Sequence, residues 1–133
     1  MNKLFWIADD DPDDRMIIKE AFEENNCSNS LSFFEDGEEV LLKFKEAISN
    51  GSIIYPSLLI LDLNMPKVNG LELLTQLKKD EITKNIPVVI LSTSRSHHDK
   101  EKVLKLGADD FITKPFSFDV MIEITRDLIQ KYG

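Results

Sequence analysis

Five carboxylates fill six consecutive positions, Asp9 to Asp14, broken only by Pro12. Side chains packed this densely repel one another unless a cation or hydration relieves them. Asp9 and Asp10 directly follow the strand-like run Leu4 to Ala8 and read as metal ligands. Asp11, Asp13 and Asp14 read instead as a solvated helix start. Asp11 suits the N-cap and Pro12 the first helical position, and the two following aspartates meet the positive end of the helix dipole. A lone carboxylate, Asp62, ends the apolar run Leu58-Leu59-Ile60-Leu61, where burial is costly without a partner or a task. Asp9, Asp10 and Asp62, with a nearby carbonyl and waters, would form an all-oxygen site suited to octahedral Mg²⁺ rather than zinc.

Two further groups could act on a ligand there. Lys114 precedes Pro115, which pushes its backbone toward extended geometry and can hold the side chain in the same crevice. Whether that bond is cis or trans is left open by the sequence. Ser92 opens the run Ser92-Thr93-Ser94, hydroxyls that could hydrogen-bond a phosphate or merely cap a turn. His97 and His98 form no spaced metal motif with another His, Cys or Glu and read as solvated residues opening a helix.

These residues need a frame that brings them together. Apolar runs of strand length alternate with amphipathic stretches of helix length, the pattern of repeated βα units around a parallel sheet. The expected strands are Leu4 to Ala8, Leu31 to Glu35, Leu58 to Asp62, Val88 to Ser92 and Asp110 to Thr113. The third and fourth are apolar almost throughout, as in strands buried on both faces. Helices are expected to start near Pro12, Glu38, Leu71, His98 and Phe118, the last with a stripe at 118, 121, 122, 125, 128, 129 and 132. Asp36-Gly37 and Asn69-Gly70 read as turns, Gly107 as a helix C-cap, and Glu46 to Pro56 as a frayed helix end and loop. The fold class is therefore α/β, a single doubly wound (βα)5 domain over 1–133 with a flavodoxin-like five-stranded parallel sheet. In the order 2-1-3-4-5, the ligand crevice lies beyond the carboxyl ends of the first and third strands, where Asp9, Asp10 and Asp62 converge.

Bulk properties narrow the function classes. The 133 residues suit one domain, and no apolar stretch approaches the roughly 20 residues that cross a bilayer. Met1-Asn2-Lys3 lacks the layout of a secretory signal, so a cytoplasmic location is the default. A net charge of -8 disfavours direct binding to nucleic acid or anionic membranes. Cys27, the single cysteine, lies in a polar segment without a basic neighbour and reads as incidental.

Taken in order, Asp9-Asp10, Asp62 within Leu61-Asp62-Leu63-Asn64-Met65-Pro66 followed by Gly70, Ser92 after Pro87-Val88-Val89-Ile90-Leu91, and Lys114-Pro115-Phe116 resemble the receiver domain of two-component response regulators. The resemblance covers essentially the whole chain. It implies that Asp62 is the phosphoacceptor, and that Asp9, Asp10 and the backbone carbonyl of Asn64 join it at the Mg²⁺ site. It further implies that Lys114 contacts the phosphoryl group, that Ser92 is the switch hydroxyl, and that the rotamer of Phe111 reports activation. The implied partners are a sensor histidine kinase or phosphotransfer protein and a downstream protein target. The Ser-Thr-Ser run is similar to stand-alone regulators that work with phytochrome-like kinases. With Tyr132-Gly133 ending the chain, output is expected through protein binding or onward phosphotransfer, from a monomer or a weak homodimer using surfaces near Phe111. Such a domain assists its own phosphorylation and dephosphorylation rather than acting as an enzyme on a separate substrate.

Three rivals remain. Asp9-x-Asp11 mimics the nucleophile motif of haloacid-dehalogenase-like phosphohydrolases, but that reading leaves Asp62 and Lys114 without roles. A mononucleotide binder would share the sheet, yet neither GxGxxG nor GxxxxGK[ST] occurs and the first loop repels phosphate. An interaction module that is never phosphorylated would not need the acidic, acceptor and lysine positions intact. Against the family pattern, Thr93 stands where a smaller residue is frequent, Ser94 where a larger polar one is, and Phe111 lacks the tyrosine hydroxyl. Thr93 should narrow access to Asp62, so Thr93→Ala is expected to speed phosphorylation by a small donor severalfold. Unchanged kinetics, followed by intact mass, would count against that role.

Overall fold

The computed structural model describes residues 4–27, 30–51 and 55–133. Five strands and five helices alternate: β1 (Leu4–Ala8), α1 (Pro12–Glu24), β2 (Ser30–Phe34), α2 (Gly37–Ser49), β3 (Leu58–Leu61), α3 (Gly70–Lys79), β4 (Val88–Ser92), α4 (His97–Lys105), β5 (Asp110–Thr113) and α5 (Phe118–Tyr132). The strands form one sheet of order β2-β1-β3-β4-β5, parallel at every pairing. The expected topology is therefore present. No helix among the described residues is long and apolar enough to cross a membrane.

Element boundaries moved by one residue where side-chain chemistry outweighed periodicity. β2 spans Ser30–Phe34 rather than 31–35, because Phe34 is the last residue in register with β1 and Glu35 lies beyond it. β3 ends at Leu61, so Asp62 stands just past the strand. The expected turns at Asp36-Gly37 and Asn69-Gly70 are helix starts, with Asp36 accepting from the N–H of Glu39 and Asn69 from that of Glu72, both at 2.9 Å. Gly107 takes φ +108 after the last turn of α4, the left-handed position at which glycine ends helices. The Lys114–Pro115 bond, left open above, is trans. Cys27, expected to be incidental in a polar segment, is half-buried and packs against the core formed with α1 and α5. Met1–Lys3, and 52–54 in the connection before β3, lie outside the described residues.

Strand alternation sends side chains to two separate cores. Trp6, Ala8, Leu59, Leu61, Val88 and Ile90 face α2, α3 and α4, whereas Phe5, Ile7, Leu58, Ile60, Val89 and Leu91 face α1 and α5. A parallel sheet covered on both faces thus explains why β3 and β4 read as continuous apolar runs. Leu58, Leu59, Ile60 and Leu61 are each at most 1% exposed. At about 1.5–3 kcal/mol per side chain, an upper-bound scale, their burial outweighs the several kcal/mol needed to desolvate one carboxylate at their end.

Close backbone approach explains two glycines beside the crevice. A Cβ at Gly37 would run into the carbonyl oxygen of Val68, and one at Gly70 into that of Asp62. Neither obstacle is a flexible side chain that could swing away. Gly70→Ala is therefore expected to lower unfolding free energy by about 1–3 kcal/mol, measured by denaturant titration. A loss under half a kilocalorie would mean that this loop is not tightly held.

Candidate functional site

Backbone hydrogen bonds deliver the charged residues to one edge of the sheet. The N–H of Asp9 donates to Phe34 O at 3.0 Å and that of Asp62 to Ala8 O at 2.9 Å. Since Ala8 pairs with Leu61, the two carboxylates one residue further on are neighbours. The N–H of Lys114 donates to Ser92 O at 2.7 Å, which ties the residue after β5 to the end of β4.

Alternation then decides which way they face. Asp9 continues the series Phe5 and Ile7, and Asp62 the series Leu58 and Ile60, all in the core under α1 and α5. Lys114 continues from Ile112, which packs there too, while Phe111 enters the opposite core. With period two, Asp9, Asp62 and Lys114 fall on the face where α1 begins. Lys114 Nζ lies 2.7 Å from Asp9 Oδ2, 2.8 Å from Asp14 Oδ2 and 3.2 Å from Asp62 Oδ2. Its side chain is only 9% exposed, so these bonds are poorly screened by water.

Asp10 stays exposed, but one oxygen from each of Asp9, Asp10 and Asp62 lies within 4.8 Å of the others, a group able to hold a metal ion. The donor set fits a hard divalent cation, being oxygen throughout and short of positive charge. Three carboxylates bond one ammonium, and a fourth, Asp10, lies close to two of them, so a dication would find uncompensated charge waiting for it. The backbone holds Asp9 in place: its Oδ1 accepts from Asp11 N–H at 3.0 Å and its carbonyl from Arg15 Nη1 at 2.7 Å. Asn64 is exposed, and its N–H approaches Asp62 Oδ1 at 3.4 Å.

Ser92 is fully buried at the end of β4, and its Oγ accepts from Ser94 N–H at 3.3 Å. The loop beyond is pinned at both sides, because Ser94 Oγ donates to Asp99 Oδ2 at 2.6 Å and Thr113 Oγ1 to Ser94 O at 3.1 Å. Thr93 is exposed beside it, and so are His97 and His98 at the start of α4, as expected. Two participants escaped sequence reading. Asp14, expected to be solvated, bonds Lys114, and Arg15 reaches both the Asp9 carbonyl and Glu35. Asp13 and Asp14 are identical in type, but helical period puts Asp14 in line with the buried Ile18, Ala21 and Phe22; that it meets Lys114 follows only from the packing of α1.

The protein is similar throughout to known regulators of one kind. Residues 5–126 match the response regulator receiver domain. This chain belongs to that family. The probable methanogenesis regulatory protein FilR2 of Methanothrix harundinacea is 32% identical to this receiver domain over 116 residues, which are 87% of this chain and 74% of FilR2. The phosphate regulon regulator PhoB of Pseudomonas aeruginosa is 37% identical over 78 residues, 59% of this chain and 34% of PhoB. The receiver domain spans less than half the length of most of the curated relatives it matches. Among solved structures, the phosphorylated cyanobacterial phytochrome response regulator RcpA superimposes with TM-score 0.89 at 28% identity, covering 99% of this chain and 94% of RcpA. The Mn²⁺-bound response regulator Rcp1 gives 0.83 at 25% identity, covering 95% and 91%.

Burial and the neighbouring charges together shift the proton affinities here. Burial raises Asp9 above its ordinary value of 3.8, a shift opposed by its bond to Lys114 and reinforced by Asp62. For Lys114 burial acts downward, but the hydrogen bonds to Asp14 and Asp9 and the charges of Asp9 and Asp62 overcome it and push the ammonium above 10.5. Linkage fixes both signs. As pH climbs from 3.8 through the raised value for Asp9, the folded state holds more protons than the unfolded one, and stability falls. The stabilisation from Lys114 is present below 10.5 and lost as pH rises through its elevated folded value. In metal-free buffer, Asp9→Asn should therefore remove a downward slope of at most about 1.4 kcal/mol per pH unit in the weakly acidic range. Parallel stability curves for mutant and wild type would contradict this.

Proposed function

We propose that this receiver takes a phosphoryl group from a phosphohistidine of a sensor kinase or phosphotransfer protein onto Asp62, and signals through the surface it then offers to a protein target. The observation that carries this reading is the meeting of Asp62 with Lys114 Nζ at 3.2 Å, beside a carboxylate group able to hold a cation. Phosphoryl transfer has a loose transition state and needs mainly an in-line nucleophile with positive charge on the equatorial oxygens. An oxygen of Asp62 attacks phosphorus, the N–P bond of the donor breaks, and its electron pair returns to the imidazole, which takes up a proton. Lys114 contributes one positive charge. Asp9, Asp10, Asp62 and the backbone carbonyl of Asn64 would hold Mg²⁺, which supplies the remaining charge neutralisation.

Ser92 is the residue that reports arrival in this reading. Its Oγ gives up its bond with Ser94 N–H and donates to a phosphoryl oxygen, which biases the β4–α4 loop between two positions. Phe111, buried at 8% exposure in the core that faces α2, α3 and α4, follows by changing rotamer. The similarity to RcpA supports a phytochrome-like kinase as donor, with the receiver acting in the cytoplasm as a monomer or weak dimer. The net charge of -8 argues for protein rather than nucleic acid as the target.

Incubation with Mg²⁺ and acetyl phosphate should add one phosphoryl mass to the wild type and none to Asp62→Asn or to wild type in chelator. Lys114→Ala should slow the addition by at least about tenfold, the size of a lost charge-assisted contact. Modification mapped to Asp9 would instead favour a phosphohydrolase-like nucleophile. Target binding that ignores Asp62→Asn would favour a module that works without phosphorylation.

A further inference from the structure

Lys114 has three carboxylate partners, and they are not equivalent. Asp9 and Asp62 belong to the group that can hold a metal ion; Asp14 does not. A cation drawing on Asp9 Oδ2 or Asp62 Oδ2 takes bonding from the ammonium, and a phosphorylated Asp62 offers it one carboxylate oxygen fewer. With a side chain 9% exposed, Lys114 has little water to turn to, and a buried charge that loses its partners is strongly unfavourable. Asp14 holds it at 2.8 Å while keeping its own side chain 31% exposed. Its backbone is set by the start of α1, where Asp11 caps the helix by accepting from Asp13 N–H at 2.9 Å and Pro12 follows.

We propose that Asp14 is a positioning residue for Lys114, the anchor that the ammonium keeps while its bonds to Asp9 and Asp62 are exchanged for a divalent cation and a phosphoryl group. This rests on the phosphoacceptor reading of the same crevice and adds to it a residue which that reading does not use. Without Asp14, Lys114 must cling to Asp9 and Asp62, so the lysine competes with the cation instead of making way for it. Asp14 therefore favours metal binding through the lysine, beyond the general attraction of one more negative charge.

Asp13 separates the two effects, being exposed in the same helical turn with the same charge and no bond to Lys114. Mg²⁺ affinity of the full chain would be measured by titration calorimetry for wild type, Asp13→Asn, Asp14→Asn and Asp14→Glu, and for both Asn variants combined with Lys114→Ala. Thermal melts would verify that each variant folds. Asp14→Asn is expected to weaken Mg²⁺ at least about fivefold more than Asp13→Asn, an ordinary coupling between contacting groups. That excess should vanish when Lys114 is alanine, and Asp14→Glu should recover part of it. Equal losses for the two Asn variants, or an excess that survives without Lys114, would overturn the proposal. Should acetyl phosphate leave Asp62 unmodified in the wild type, the phosphoacceptor reading fails separately, since the calorimetric comparison does not depend on phosphorylation.

Discussion

Everything at the carboxyl edge of this sheet is organised by the shortage of positive charge around Lys114. One ammonium faces Asp9, Asp14 and Asp62, with Asp10 close by. Burial makes the charges of Lys114, Asp9 and Asp62 expensive, and the lysine alone cannot balance its carboxylate neighbours. The result is a site that is tolerable without a metal and improved by one, which is the energetic condition for an ion that must be able to come and go. The raised proton affinity of Lys114 expresses the same imbalance, whereas that of Asp9 comes first from burial.

The sheet makes this imbalance affordable by holding its members apart from the cores that stabilise the fold. β3 is buried on both faces up to Leu61, and the charge begins only at Asp62, one residue past the strand. β1 ends likewise at Ala8 before Asp9, and β5 at Thr113 before Lys114. Each of these three charged residues therefore stands one position past a rigid strand, with its backbone N–H still bonded to the neighbouring one. Gly70, whose missing side chain lets the β3–α3 connection close against the Asp62 carbonyl, belongs to the same arrangement.

Opposite the carboxylates, the fully buried Ser92 sits between a fixed strand and a hydrogen-bonded loop. Its hydroxyl is engaged with Ser94 N–H, and Ser94 in turn with Asp99 at the start of α4. Two hydrogen bonds thus connect Ser92 to α4.

The sequence alone determined the alternation of strands and helices, the order of the sheet, and the identities of Asp9, Asp10, Asp62, Ser92 and Lys114 as the residues to watch. Apolar period, caps and turn residues are local signals, and the aspartates at the ends of apolar runs are conspicuous, whereas Ser92 and Lys114 stand out through the resemblance to receiver domains. Boundaries at β2 and β3 were a residue off, since pairing partners, not composition, end a strand. Tertiary structure alone decided that Asp14 meets Lys114, that Arg15 holds the Asp9 carbonyl, and that Ser94 is tied to Asp99. Those facts depend on how α1 and α4 lie against the sheet, a consequence of packing two cores at once, which no stretch of neighbouring residues encodes.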